Sequence, residues 1–206
     1  MHPNPAYRQA SADQNLALAR DRGFGILAVN GPDGPFAAHV PFVLSPEDGY
    51  LELHLVRSNP VARALETPRP ALLAVSGPDA YISPDWYATE HQVPTWNYVA
   101  VHLRGTLRLC PHDEMREHLD RLSAEFENRL FPKTPWLTAK MPGETLDRMM
   151  RQIVPARMDI TSIDGTWKLN QNKTEAARLS AAGHVARSTV GARPEAVADM
   201  MRHPPS

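Results

Sequence analysis

Three short segments of this 206-residue chain combine residue types able to hold a charged, planar molecule. "HLVRSNP" sets Arg57, Ser58 and Asn59 where an apolar run stops and a proline starts a helical pattern. A guanidinium fork, a hydroxyl and free helix-terminal N–H groups together suit a phosphate dianion. "WKLNQNK" places Lys168, Gln171, Asn172 and Lys173 within six residues, again between a strand pattern and a helix pattern. "VPTWNY" adds flat surface from Trp96 and Tyr98 around the amide of Asn97. Each alone reads equally as a solvated junction. On one scaffold, the three point to a phosphorylated, planar aromatic ligand.

Other chemistries find less support. His112 and His118 are six residues apart on one predicted helix and so face different ways, and the single cysteine, Cys110, leaves no partner thiol for a zinc site. His39 and His54 fall on neighbouring predicted strands, where two singly hydrogen-bonded histidines are the simpler reading. The chain contains no G-x-S-x-G elbow, Walker loop or G-x-G-x-x-G fingerprint. With 22 basic and 23 acidic side chains the formal net charge is -1, which supplies no field for nucleic acid or anionic membrane. One cysteine and no apolar run of membrane-spanning length point to a reducing cytoplasm.

The elements that must position these groups follow from periodicity. "SADQ" has the form of a capping box, with Ser11 and Gln14 opening a helix expected to reach about Gly23. "FGILAVN" and "PFAAHVPFVL" flank the turn "GPDG", and "SPEDG" leads to "YLELHLV", which predicts three antiparallel strands. In the last, Leu51, Leu53 and Leu55 share one face while Glu52, His54 and Val56 share the other. A short helix is expected from Pro60, a strand over 71–77, and a loop from 78 to 92 with a short extended piece at Tyr81 and Ile82. A long strand then runs to about Leu109. Met115, Leu119, Leu122, Phe126 and Leu130 form one helical stripe, and a second helix is expected around 144–154. "ARMDITSIDGTWKLNQN" reads as a last strand with a turn at Asp164 and Gly165, followed by a helix over 173–182 and a short helix in "PEAVADMMR". Twenty prolines distributed between the apolar runs fit many short elements joined by fixed turns. The fold class is mainly β with peripheral helices, an α+β arrangement. The "HPPS" terminus is expected to fray.

In this order and spacing, "AAHVPF", "HLVRSNP", "GPDAYISPDWY", "VPTWNYVAVH" and "WKLNQNK" resemble the PaiB-like family of FMN-binding negative transcriptional regulators. The resemblance begins at "NPAY" near residue 3 and ends near 183, which sets 1–183 as the FMN-binding domain and 184–206 as a helical tail or extension. It implies an antiparallel split β-barrel related to pyridoxamine-phosphate-oxidase-like flavoproteins, usually a homodimer with FMN at the subunit interface. Carried over by position, it implies that Arg57, Ser58, Asn59, Lys168, Gln171, Asn172 and Lys173 serve the phosphate and ribityl chain of FMN. Ala38, His39 and Pro41 would lie near the flavin ring, with Trp96, Asn97 and Tyr98 beside it or at the dimer edge. His54 joins the cofactor-binding set. The chain departs from the family pattern at Ala38, where threonine is usual, and at Asn170, where serine is usual.

Three functions remain open at this stage. One is a flavin-dependent redox sensor or transcriptional regulator; another is a small flavin-dependent oxidoreductase; the third is a barrel that takes another planar ligand such as haem. A flavin carries its own hydride chemistry, so no catalytic acid or base need be visible and enzyme and sensor read alike. DNA binding by this chain alone lacks both a helix-turn-helix signature and a basic stripe.

Overall fold

The computed structural model describes residues 1–47 and 49–205. Asp48 of the expected "SPEDG" turn and Ser206 of the expected frayed terminus lie outside the described residues. Seven strands form a sheet of order β2-β1-β5-β6-β7-β4-β3. The chain divides into two compact units, one of residues 1–22, 75–102 and 163–206, the other of residues 23–74 and 103–162. Strands β5 (Arg69–Ile82), β6 (Thr95–Leu109) and β7 (Ile153–Lys168) contribute residues to both.

The unit of residues 23–74 and 103–162 is built on the predicted hairpin. β1 (Phe24–Gly31) and β2 (Gly34–Pro41) pair antiparallel with Leu27 opposite Ala38 and Gly31 opposite Gly34. Gly34 has φ +136°, a conformation other residues rarely adopt, so the "GPDG" turn depends on it. β3 (Val43–Leu44) pairs with β4 (Tyr50–Val56), and β4 pairs antiparallel with β7, Leu51 opposite Met158. Leu51, Leu53 and Leu55 are buried as alternation demands. Glu52, on the other face of β4, is buried as well. Its cover comes from α3 (Met115–Glu127), which follows β6 and lays His118 and Arg121 against that polar face. α2 (Pro60–Ala64) starts on Pro60 with Asn59 as its cap, as expected. α4 (Gly143–Met150) ends earlier than periodicity suggested, because Ile153 and Val154 are already paired to Val56 and Leu55 in the β4–β7 ladder.

The other unit opens with α1 (Ala12–Arg22), whose capping box is fully made: Ser11 N donates to Gln14 Oε1 at 2.9 Å, and Gln14 N donates to Ser11 Oγ at 3.1 Å. Two expectations fail here for identifiable reasons. The loop expected over 78–92 begins only after Ile82, because Asp79 N and Tyr81 N donate to the carbonyls of Ala192 and Val190 in the tail, which extends β5. β7 runs straight through Asp164 and Gly165. Gly165 marks a close approach: a Cβ there would lie 2.0 Å from Asn15 Oδ1, the atom that accepts from Trp167 Nε1 at 2.8 Å. α5 (Glu175–Val185), capped by Thr174, and α6 (Pro194–Arg202) bury Ala181, Val185, Val197 and Met201 in one apolar cluster with Ile82, Tyr87 and Leu169.

Candidate functional site

Within the unit of residues 1–22, 75–102 and 163–206, the "VPTWNY" and "WKLNQNK" segments come together. Lys168 Nζ donates to Thr95 Oγ1 at 2.5 Å, and Lys173 Nζ donates to Gln92 Oε1 at 2.6 Å. Two aromatic rings flank the ammonium groups: Lys173 Nζ sits 5.2 Å from the ring centre of Tyr87, and Lys168 Nζ sits 6.0 Å from that of Tyr7. Both partners on the 92–95 segment are neutral, and among the described residues neither lysine forms an ion pair. Burial, with the charge of Lys173 added, lowers the Lys168 pKa from the ordinary lysine value. Two cations that repel one another and face only neutral acceptors form a site suited to an anion.

Uncommitted amides accompany this charge. Asn97 is fully buried, and among the described residues neither its Nδ2 nor its Oδ1 has a hydrogen-bond partner. On β6 it shares the inward face with Thr95, which bonds Lys168, and with Val99, which packs in the Tyr87 cluster. Asn170 is buried at φ +64°, a conformation asparagine tolerates better than most residues. Its Oδ1 accepts from the Tyr87 hydroxyl at 3.3 Å, while its Nδ2 has no partner among the described residues. An unpartnered buried polar group costs about 1–3 kcal/mol, so such amides persist where something else rewards them. Burial also raises the Tyr87 and Tyr7 pKa values, keeping both phenols neutral donors. Gln171 is spent locally: its amide accepts from Leu169 N at 2.8 Å and donates to the Trp167 carbonyl at 2.6 Å, which shapes the strand end. Asn172 is exposed, and Trp96 is half-exposed with its ring edge-on to Tyr81.

The remaining expected residues lie in the other unit. Arg57 Nε and Nη2 donate to the carbonyls of Arg151 and Ile153 at 3.1 and 3.3 Å, so the fork ties the end of β4 to the start of β7. Ser58 is exposed, and Asn59 Oδ1 accepts from Val61 N at 2.9 Å as the α2 cap. Ala38 is buried, Pro41 is half-buried, and His39 is exposed with its ring stacked on Phe24. His54 pairs with His118, Nδ1 to Nε2 at 3.0 Å, rather than with His39. Burial lowers both pKa values, that of His118 to about 4. Beside them Glu52 accepts from Arg121 Nε at 2.9 Å and Arg157 Nη2 at 3.0 Å. Burial alone would raise the Glu52 pKa, but the two guanidinium groups outweigh it and hold the carboxyl below its ordinary value. Among the described residues no three metal-ligating side chains cluster.

Sequence reasoning missed Tyr7, Tyr87, Gln92 and Thr95 as members of the lysine site, and Glu52 as a buried ion. The first four sit inside "NPAY", "ISPDWY" and "HQVPT", segments already singled out for their composition or turn residues.

The sequence matches the family described as "Putative FMN-binding domain" over residues 1–162. It is 30% identical over 171 residues to "Protease synthase and sporulation protein PAI 2" of Bacillus subtilis, covering 82% of this chain and 81% of that one. Among solved structures it resembles the FAD and heme binding protein from Mycobacterium smegmatis, at a TM-score of 0.58 and 17% identity over 79% of this chain and 73% of that one. It also resembles the flavocytochrome Anf3 from Azotobacter vinelandii, at a TM-score of 0.59 and 14% identity over 81% and 72% of the two chains. These likenesses establish the fold class, an antiparallel split barrel with flanking helices. Among the described residues no helix is long and apolar enough to cross a membrane.

Proposed function

Because the chain belongs to the putative FMN-binding domain family, whose cofactor is FMN, we propose that it is a cytoplasmic flavin-dependent redox sensor, working as a homodimer in transcriptional regulation. The observation that carries this reading is the lysine pair: Lys168 and Lys173 hold positive charge beside buried amides, with no carboxylate among the described residues to neutralise it. Those groups fit FMN. The two ammonium groups would take the phosphate, exchanging Thr95 and Gln92 for charged acceptors. Asn97, Asn170 and Tyr87 offer donors and an acceptor for the polar parts of the ligand, and Trp96 and Tyr98 offer flat surface.

The Arg57, Ser58 and Asn59 segment remains in the proposed binding set with the smaller share, since two of its donors already serve carbonyls and the Asn59 oxygen caps a helix. Ala38, His39 and Pro41 remain the proposed ring-side residues, His54 stays in the proposed cofactor-binding set, and Gln171 and Asn172 stay in the proposed phosphate and ribityl segment with Lys168 and Lys173. Half-exposed Phe24 and Ile26 on one face of β1 support a surface that a second copy covers.

Bound FMN supplies reversible electron and hydride acceptance. The protein would hold the phosphate on Lys168 and Lys173, keep the phenols of Tyr7 and Tyr87 protonated, and supply the amide dipoles of Asn97 and Asn170. Regulation of genes would then pass through a partner, since the net charge gives DNA little to attract. The purified protein is expected to show flavin absorption bands that persist through gel filtration, with FMN identified by mass after release. A colourless protein whose spectrum and tryptophan fluorescence ignore added FMN would refute this reading.

A further inference from the structure

A second cavity, unrelated to the lysine pair, lies wholly within the unit of residues 23–74 and 103–162. It encloses about 310 Å³ and is walled by Leu119 of α3, by Leu146, Met149 and Met150 of α4, by Ile153 at the start of β7, and by Trp136 from the segment between the two helices. No charged side chain lines it.

That connecting segment is pinned open. Glu127 at the end of α3 accepts from the Trp136 backbone N–H at 2.8 Å and from the Lys133 ammonium. Two residues on, Thr138 donates its hydroxyl to Asp120 Oδ1 at 2.6 Å and accepts from Arg116 Nη2 at 3.0 Å. With Trp136 bracketed by these ties to α3, the wall cannot move inward to close the space without losing several charged hydrogen bonds. The pocket is open to solvent at Val56 and Met149, and its lining offers few polar groups to hold water there. Among the described residues, the Ser123 hydroxyl, the Gln152 amide and the Trp136 indole N–H line it without a hydrogen-bond partner. The volume sits at the small end of ligand pockets. Met141, Met149 and Met150 around a tryptophan favour an aromatic occupant, since thioethers adapt in shape and contact ring edges well.

We propose that this cavity is a binding site for a compact, uncharged aromatic molecule carrying one hydrogen-bonding group, which Ser123 or Gln152 meets. Val56 and Met149, both about half-exposed, form its mouth.

The neutral fluorophore N-phenyl-1-naphthylamine tests this on the full-length protein, with energy transfer from tryptophan as the readout. Saturable binding of one probe per chain is expected, with Kd on the order of 10 µM for a ligand of this size. Ser123→Phe fills the cavity and Met149→Lys places a charge at its half-exposed mouth; each should weaken the probe by at least about tenfold. Met149 is about half-exposed, so Met149→Lys is expected to fold and decides the matter if Ser123→Phe does not. Non-saturable binding, equal affinity in the folded variants, or displacement of the probe by FMN would overturn the proposal. So would a wild-type dimer that Met149→Lys converts to monomer, since a second copy would then be what covers the mouth.

Discussion

The two units handle buried charge in opposite ways. In the unit of residues 23–74 and 103–162, the Glu52 carboxylate receives two guanidinium groups, and the neighbouring His54 and His118 satisfy each other while neutral. The Glu52 charge there has its counter-charges within the chain. In the other unit, Lys168 and Lys173 face a hydroxyl, an amide and two phenol rings, and the Asn97 side chain has no hydrogen-bond partner among the described residues. The first cluster matches its carboxylate with two guanidinium groups and supports stability, with Arg157 Nε the one buried atom of the Glu52 ion pairs left without a hydrogen-bond partner among the described residues; the second meets no counter-charge among the described residues, which suits the proposed anion site. Composition cannot tell them apart, since both mix cations, polar groups and aromatics. Compensation does.

The contrast breaks first at Glu52. Glu52→Ala leaves Arg121 and Arg157 without their shared carboxylate, and because both are partly exposed the loss should be about 3 kcal/mol rather than the larger cost of a fully buried break. Chemical denaturation measures it, and FMN affinity of the folded fraction should be unchanged. A comparable loss of FMN affinity would erase the distinction between the clusters.

A second test is pH. The folded His118 pKa of about 4 lies below the ordinary 6.5, so the unfolded chain binds a proton in that window while the folded chain does not. The stability this contributes is full above about 6.5 and is lost as pH falls toward 4, by roughly 3 kcal/mol for His118, with lowered His54 acting in the same direction. Glu52, held low, adds its own loss at still lower pH. His118→Phe should flatten the slope between pH 7 and 4 in urea titrations. An unchanged slope would show that His118 titrates normally.

Smaller effects sharpen the contrast further. Asn97→Val removes a buried amide with no partner, so the FMN-free protein should gain about 1 kcal/mol in thermal unfolding while FMN binding weakens. A loss of stability would mean that the amide serves the fold. Arg57→Ala gives up two bonds to carbonyls at an exposed site and should cost about 1 kcal/mol, with less loss of FMN affinity than either lysine variant.

Legibility followed the range of the interactions. β1, β2 and β4 were readable from alternation, and the α1 cap from four residues, because the forces that fix them act within a few positions. β5 looked shorter than it is because the partners of Asp79 and Tyr81 lie in the tail, more than a hundred residues away. Gly165 resembled a turn because the reason for a glycine, the side chain of Asn15, is equally remote. The site divides in the same way. Lys168 and Lys173 stood out as local chemistry at a strand end, whereas Tyr7 and Tyr87 reach them only through the fold. Arg57 showed the converse: its residue type suited phosphate, but the carbonyls that engage it belong to a distant turn.

The central claim, that the lysine pair is an uncompensated anion site for the FMN phosphate, is tested most directly by titrating FMN and riboflavin into the wild-type protein and into the Lys168→Ala/Lys173→Ala variant. Two charged hydrogen bonds at about 1.5 kcal/mol each predict that the double variant binds FMN roughly a hundredfold more weakly while riboflavin affinity changes little. Equal losses for the two flavins, or no loss for FMN, would contradict it.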